Sequence, residues 1–309
     1  MTKIAIVILN WNGKENTLAC LRSISRLQST DYSLQTIVID NASSDESVES
    51  IKYYVSGIKG SKIELIVNNK NLGYAGGNNV GIRYAIDVEA EYVLILNNDT
   101  LVDRNLIEEL LKVAKTDEKI GIVAPKIYFA PGFEFHRDRY KKNELGKVIW
   151  YAGGTMDWAN VIGSHRGVDE VDQGQYNKIE KTDFASGCCL LLKAELIKKV
   201  GMFDEKYFLY YEDSDLSERA KKAGFDIVYA PKAVLWHKNA GSAGGSGSTL
   251  QDYYITRNRL LFGMRYAPIR AKIALFRESI GLLTSGREWQ KKGVADFYGG
   301  RFGKGNYVP

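Results

Sequence analysis

A chain of 309 residues with 45% hydrophobic side chains, 30 glycines, 5 prolines and only 3 cysteines is too apolar for a disordered chain, too poor in cysteine for a disulfide scaffold, and without the glycine period of a collagen. The length suits one large or two small domains, and no uncharged apolar run approaches the roughly 18 residues that a membrane span needs. The net charge of +5 is uneven: residues 251–309 hold 11 Lys and Arg against 4 Asp and Glu, a net of +7, which leaves 31 against 33 for the rest.

The opening apolar run, residues 4–9, stops at Asn10 and Trp11 without a small-residue cleavage site, so it reads as a strand rather than a secretion signal. Residues 36–39, 63–67, 92–96 and 120–124 are similar near-continuous apolar stretches, as expected of strands covered on both faces. Helices expected near 14–27, 44–57, 78–88 and 103–115 alternate with them. That alternation predicts an α/β chain with a mostly parallel, doubly wound sheet and helices on both faces. Ser43 to Glu46 has capping-box spacing, and Leu106, Ile107, Leu110, Leu111 and Ala114 share one helical face. Residues 131–183 are polar, aromatic and glycine-containing, and are expected as strands and loops extending the sheet. Order returns with a strand at 188–192, helices at 194–200 and 212–223, and a strand at 227–230. Residues 241–248 have the composition of a flexible connector, and helical patterns rich in Arg, Tyr and Leu follow. Cys20, Cys188 and Cys189 have neither metal-site spacing nor an even count, which fits a reducing cytoplasm.

Ligands of open α/β sheets sit beyond the carboxyl ends of the strands. Four successive strands here end in polar residues: Asn10-Trp11-Asn12, Asp40-Asn41, Asn68-Asn69-Lys70-Asn71 and Asn97-Asn98-Asp99. Asn12 and Ser43 could equally cap the next helix. Gly73-Tyr74-Ala75-Gly76-Gly77-Asn78-Asn79 precedes a helix, so its amides could approach a diphosphate, although it has neither dinucleotide nor phosphate-loop spacing. Asp99 suits a hard divalent cation that shares its shell with substrate phosphates, and His237, after another expected strand, suits Mn²⁺ as well as Mg²⁺. Glu212, Asp213 and Asp215 crowd the start of one helix, where they are either a favourable macrodipole interaction or a source of a general base.

Taken in order, Asn10-Trp11-Asn12, Ile39-Asp40-Asn41-Ala42-Ser43, Asn71 to Asn79, Leu96 to Thr100, Gly187 to Leu191, Gly201-Met202-Phe203-Asp204-Glu205, Tyr211 to Leu216 and Trp236-His237 resemble a family 2 glycosyltransferase of the GT-A fold. The resemblance covers about residues 3–240 and is nearest to the bacterial rhamnosyltransferase-like branch. It implies a catalytic domain over 1–250, with a donor-binding half at about 1–125, an acceptor-side half at about 126–240 and a lid at 241–248, followed by a helical appendage at 251–309. It further implies that Asp40 hydrogen-bonds the nucleotide base, in a pocket with Asn10, Asn12 and Asn41. The amides of Gly76 and Gly77, with Asn78, meet the diphosphate. Asn97 and Asp99 match the ends of the DxD metal motif, with Asn98 between them. The first carboxylate is thus an amide, leaving Asp99 as the main ligand of Mg²⁺ or Mn²⁺ and His237 as its companion. Asp213 matches the acid that deprotonates the acceptor hydroxyl, Glu212 lies beside it, and Gly187, Cys188 and Trp236 face the acceptor.

The implied reaction is inverting transfer from a nucleotide-diphosphate sugar, dTDP-rhamnose or a UDP-sugar, to a cell-surface glycan or lipid-linked acceptor. Aromatic and aliphatic residues interleaved with Arg in 251–309 point to an anionic membrane surface as a further partner, with the enzyme at the inner face of the cell membrane. A sugar nucleotidyltransferase and an inactive nucleotide-sugar-binding relative are the alternatives. Nucleic-acid binding is not expected, because residues 1–250 are slightly acidic and carry no nucleic-acid motif.

Overall fold

Strand β1 (Thr2–Asn10) buries every residue from Ile4 to Ile8. Successive strand residues point to opposite faces, so both faces of the sheet are covered at this strand. In the computed structural model, which describes residues 1–27, 31–58, 62–239 and 248–308, the first half alternates as the apolar runs require. Helix α1 (Lys14–Ile24), β2 (Tyr32–Asp40), α2 (Ser47–Ser56), β3 (Ile63–Val67), α3 (Gly73–Asp87) and β4 (Tyr92–Asn97) follow in turn. β2 and β4 flank β1 in parallel, and β3 lies parallel beyond β2. The chain therefore reverses its direction of travel between β1 and β4, which opens a crevice at their carboxyl ends.

The second half is less regular. Strand β5 (Thr100–Val102), α4 (Leu106–Ala114), β6 (Ile120–Phe129), β7 (Ile149–Tyr151), β8 (Gly154–Asp157), β9 (Ile162–His165), β10 (Glu180–Lys181), β11 (Cys189–Lys193), α5 (Ala194–Val200), α6 (Glu212–Lys222) and β12 (Asp226–His237) complete the sheet region. The main sheet has ten strands among the described residues, in the order β10-β12-β6-β11-β4-β1-β2-β3. β5 pairs with β12 and β7 with β6, while β8 and β9 form a separate hairpin. β11 is antiparallel to both β4 and β6, and β6 is parallel to β12.

Two elements differ from the sequence expectation. The strand expected at 227–230 runs on as β12 to His237, passing through an irregularity between Ala230 and Val234, so His237 ends the strand rather than following it. Helix α3 starts at Gly73, five residues before the expected start, because its glycines are packing residues rather than turn residues. A Cβ on Gly77 would come within 2.4 Å of Leu9 Cδ1, and one on Gly81 within 2.4 Å of Val7 Cγ1. Glycine at i and i+4 lets α3 lie directly on β1.

The last helices, α7 (Thr249–Tyr266), α8 (Ile269–Ser285) and α9 (Glu288–Tyr298), are built into the same core through Leu260, Phe262, Leu275 and Val294. Asp215, fully buried in α6, explains part of the attachment. It accepts from Arg219 Nε at 2.8 Å, Arg265 Nη1 at 3.0 Å, the Tyr266 hydroxyl at 2.8 Å and the Tyr207 hydroxyl at 3.2 Å. Two cations and two phenols around one carboxylate satisfy a charge that would otherwise be costly to bury. The expected lid falls mostly outside the described residues. Its final member, Ser248, caps α7 by accepting from Gln251 N.

The tight α3–β1 contact gives a direct test. Gly81→Ala should overpack the helix against Val7 and lower stability by about 1–3 kcal/mol, measured by urea unfolding. An unchanged midpoint would show that the helix can shift without cost.

Candidate active site

The crevice between β1 and β4 is lined by a polar network that starts at Asn10. This buried side chain donates to Asp40 Oδ2 at 2.7 Å and Ser43 Oγ at 3.1 Å. It accepts from Thr17 Oγ1 at 2.7 Å and Asn98 Nδ2 at 3.2 Å. Asp40 is buried and also accepts from Ser43 N at 2.9 Å. Asn41 is used in full: its amide donates to Asn71 Oδ1 and Gly73 O and accepts from Asn68 and from Leu72 N. Asn12 and Ser43, each a candidate helix cap, cap nothing. Asn12 sits in the left-handed region at φ 50 and accepts from Ser44 N, while its own N–H donates to Ser43 Oγ. Nor does the capping box form, since Glu46 itself holds the N-cap position of α2. Asn10, Asp40, Ser43 and Asn98 tie β1, β2 and the end of β4 together beneath the rim.

Gly76 and Gly77 do not form a phosphate-binding turn. They lie inside α3, and the amides at its start are already taken: Gly73 N donates to Asn71 Oδ1, and Tyr74 N and Ala75 N donate to Phe208 O. Asn78 is buried, donating to Tyr74 O, with its Oδ1 unpartnered among the described residues.

Asp99 is aligned by β5, a strand too short to signal itself in the sequence. β5 runs antiparallel along the end of β12, pairing Thr100 with His237, and so sets Asp99 Oδ1 3.1 Å from His237 Nε2. Among the described residues the Asn97 side chain makes no hydrogen bond, whereas Asn98 is drawn back to Asn10 and Thr17. One carboxylate and one imidazole fit a divalent cation only if diphosphate and water supply the remaining ligands. Consistent with this, no group of three or more His, Cys, Asp or Glu suited to an ion occurs among the described residues. His237 Nδ1 is buried without a hydrogen-bond partner among them, although a metal-bound imidazole ordinarily donates its second N–H. The donor set fits a weak site shared with the substrate.

The ring beside His237 is not Trp236. Neighbouring residues of a strand face opposite ways, and Trp236 turns its Nε1 to Gly146 O at 2.9 Å. The aromatic partner is Trp150 on β7, edge-on to His237 with centroids 4.6 Å apart and also against His165 at 4.3 Å. Burial lowers the His165 pKa to about 4, so that imidazole is neutral near pH 7. Nothing in the irregular 131–183 stretch of sequence marked Trp150 or His165. At the carboxyl ends of β6 and β12 opens a cavity of about 690 Å³ whose walls include Arg137, Arg139 and Lys238.

The acid cluster separates into three different residues. Asp215 is the ion-paired anchor of the C-terminal helices. Asp213 Oδ2 accepts from Gly187 N at 2.9 Å and Oδ1 from Ser214 N at 2.6 Å. Burial raises its pKa, against the pull of those amides. Glu212 is buried with Oε2 unpartnered among the described residues, and burial, reinforced by the charge of Asp213, holds its carboxyl well above the usual range. The turn that delivers this helix is strained: Phe208, Tyr210 and Tyr211 all have positive φ, at 65°, 69° and 72°. Such positions cost on the order of 1–3 kcal/mol each and gather at functional sites. Gly187 contributes its backbone, its carbonyl accepting from the Tyr74 hydroxyl. Cys188 does likewise: its thiol is buried, and its carbonyl accepts from Asn97 N at 2.9 Å.

A family model described as glycosyl transferase family 2 matches residues 5–201, from β1 to the end of α5. The chain belongs to glycosyl transferase family 2. Among its relatives, the low-salt glycan biosynthesis hexosyltransferase Agl10 of Haloferax volcanii is 25% identical over 259 residues, 84% of this chain and 74% of its own. The N-acetylglucosaminyl-diphospho-decaprenol L-rhamnosyltransferase of Mycobacterium tuberculosis is 25% identical over 224 residues, 70% of each chain. A mannosyltransferase from Pyrobaculum calidifontis, solved in complex with GDP-Man and Mn²⁺, superposes with a TM-score of 0.57 at 16% identity, covering 96% of this chain and 74% of its own. TarS of S. aureus in complex with UDP gives 0.55 at 14% identity, covering 96% and 71%. The fold is GT-A and the protein is a glycosyltransferase, which removes the nucleotidyltransferase alternative.

Glu212 makes stability depend on pH. Its folded pKa lies above its unfolded one, so the stability it contributes is fully present below the unfolded value and is lost as pH rises through the folded value. Glu212→Gln cannot ionise and should show a flatter fall of Tm than the unaltered protein as pH rises above the ordinary carboxylate range. Parallel Tm curves for the two proteins would contradict the buried neutral carboxyl.

Proposed function

We propose that this family 2 enzyme moves a sugar from a nucleotide-diphosphate sugar, dTDP-rhamnose or a UDP-sugar, to a hydroxyl of a lipid-linked or cell-surface glycan by direct displacement with inversion. The observation that carries the reading is the hydrogen bond from Gly187 N to Asp213 Oδ2. It fixes a carboxylate at the end of the turn whose Cys188 carbonyl is bonded to Asn97 N, so the base and the Asn97-Asn98-Asp99 segment belong to one hydrogen-bonded unit.

Asp213 takes the proton of the acceptor hydroxyl as that oxygen bonds to the anomeric carbon and the bond from that carbon to the diphosphate breaks. The nucleoside diphosphate leaves with the electron pair. Burial raises the basicity of Asp213, which strengthens it as a base at neutral pH, while the amides of Gly187 and Ser214 keep its oxygens aimed. Asp99 and His237 would hold a divalent cation, whose chemistry when bound is to offset charge on the departing diphosphate. The network of Asn10, Asp40 and Asn98 stiffens the nucleotide side of the crevice. The mycobacterial relative, named for an N-acetylglucosaminyl-diphospho-decaprenol substrate, supports a lipid-linked acceptor.

Asp213→Asn preserves the shape and one accepting oxygen. It should leave nucleoside-diphosphate binding, by calorimetry with Mn²⁺, unchanged while lowering transfer by about 10² to 10⁴. Full transfer by the variant would remove Asp213 as the base, and binding that is equal with and without Mn²⁺ in the unaltered protein would remove the metal.

A further inference from the structure

The broad expectation that residues 251–309 meet a membrane narrows sharply once their contacts are known. In α7, Tyr253, Tyr254, Arg257, Asn258 and Phe262 are buried. The Arg257 guanidinium donates to the carbonyls of Gly303, Lys206 and Tyr207, and Arg265 pairs with Asp204 and Asp215. Those cations are internal fasteners and are not offered to a partner.

Helix α8 is different. Its inner face, Ala271, Leu275 and Ser279, is buried, with Leu275 seated against Gly263 of α7, where a Cβ would come within 2.2 Å of Leu275 Cδ1. On the opposite face Ile269, Ile273, Phe276, Ile280 and Leu283 are 40% to 71% exposed. Steps of four and three residues keep all five within an arc of about 80° along roughly 21 Å of helix. At 100° per residue, Arg270 and Arg277 border this stripe on one side and Lys272 on the other, and none of the three has an ion pair among the described residues. The one acid of the helix, Glu278, points away from the stripe and is paired with Arg259 at 2.7 Å. Exposed Tyr298 of α9 stands edge-on to Phe276, with centroids 6.4 Å apart, and its hydroxyl is 2.7 Å from Ser279 Oγ.

We propose that the outer face of α8 seats the enzyme on an anionic membrane leaflet, with the apolar stripe at the boundary of headgroups and acyl chains and Arg270, Lys272 and Arg277 at the level of the lipid phosphates. A narrow apolar stripe with cations on both shoulders is the pattern of a helix lying in the interface, and long cationic side chains bury their stems while their heads reach the phosphates. No helix among the described residues is long and apolar enough to cross a membrane. The same spacing would suit pairing with a second copy, but self-pairing would bring cationic shoulders together with no acid to answer them. An anionic lipid surface supplies the missing charge. The inference rests on the proposed lipid-linked acceptor and gives it a direction. α8 packs on Gly263, the adjacent Phe262 contacts the Tyr211 ring at 5.4 Å, and Tyr211 leads directly into Glu212 and Asp213. A sugar carried by a lipid of that leaflet would thus be presented on the side from which the base helix is held.

The test is sedimentation of the full chain with vesicles of phosphatidylcholine, alone or mixed with an equal amount of phosphatidylglycerol. The unaltered protein should bind the mixed vesicles at least about tenfold better than the neutral ones. Ile273→Gln, Phe276→Gln and Ile280→Gln together should abolish binding to both, with unchanged circular dichroism and Tm showing that the helix still docks. Arg270→Gln, Lys272→Gln and Arg277→Gln together should remove the preference for phosphatidylglycerol. Equal partitioning of the unaltered and apolar-stripe proteins would overturn the proposal. So would a stripe variant that converts a dimer to a monomer in sedimentation velocity without altering vesicle binding, since the second copy would then be the occupant. Calorimetric binding of UDP, dTDP and GDP with Mn²⁺ in the absence of vesicles, followed in parallel, separates the two readings: binding of none of the three by the unaltered protein counts against the proposed transfer and leaves the vesicle result to stand alone.

Discussion

The site depends on one strand running the wrong way. β11 is antiparallel to β4, pairing Cys189 with Leu96, so it begins where β4 ends and its leading turn lies on the rim of the sheet. From that turn, the Cys188 carbonyl binds Asn97 N, the Gly187 amide binds Asp213, and the Gly187 carbonyl takes the Tyr74 hydroxyl. One peptide segment therefore joins β4, α6 and α3. Glycine suits the position because a Cβ there would already be 3.1 Å from the Tyr74 hydroxyl. A parallel strand in the same place would begin at the other end of the sheet and leave Asp213 without this tie.

The parallel half of the fold was legible because its physics is simple: where a strand is covered on both faces it must be apolar at successive positions, as residues 4–9 of β1 and 92–96 of β4 are. The glycines of α3 misled because glycine has two uses, permissive backbone and absent side chain, and sequence alone does not say which one operates. Here Gly77 and Gly81 serve close packing on Leu9 and Val7. The short strands β5 and β7 carry no periodic signal, yet they set Asp99 against His237 and Trp150 beside it. The residues of that pair could be named from their places after strands, but the geometry joining them could not. The acid cluster shows the same limit. Adjacent helical residues point about 100° apart, so Glu212, Asp213 and Asp215 meet three environments and do three things.

Charge in the last fifth of the chain is also of two kinds. Arg257 and Arg265 are consumed by carbonyls and carboxylates within the fold, and this attachment holds α7 against the strained turn before α6. The cations of α8 find no such partners among the described residues and flank an apolar stripe. The segment thus has an inward role, supporting the helix that carries Asp213, and an outward face with the character of a membrane contact. Composition averaged these into a single positive charge.

Direct displacement driven by Asp213 is the claim on which the functional account turns. It is tested most directly by the anomeric configuration of the product, determined by nuclear magnetic resonance after turnover with a donor found active from a panel of UDP, dTDP and GDP sugars. The account predicts inversion relative to the donor. Retention would contradict it, because a single displacement assisted by one base cannot preserve configuration.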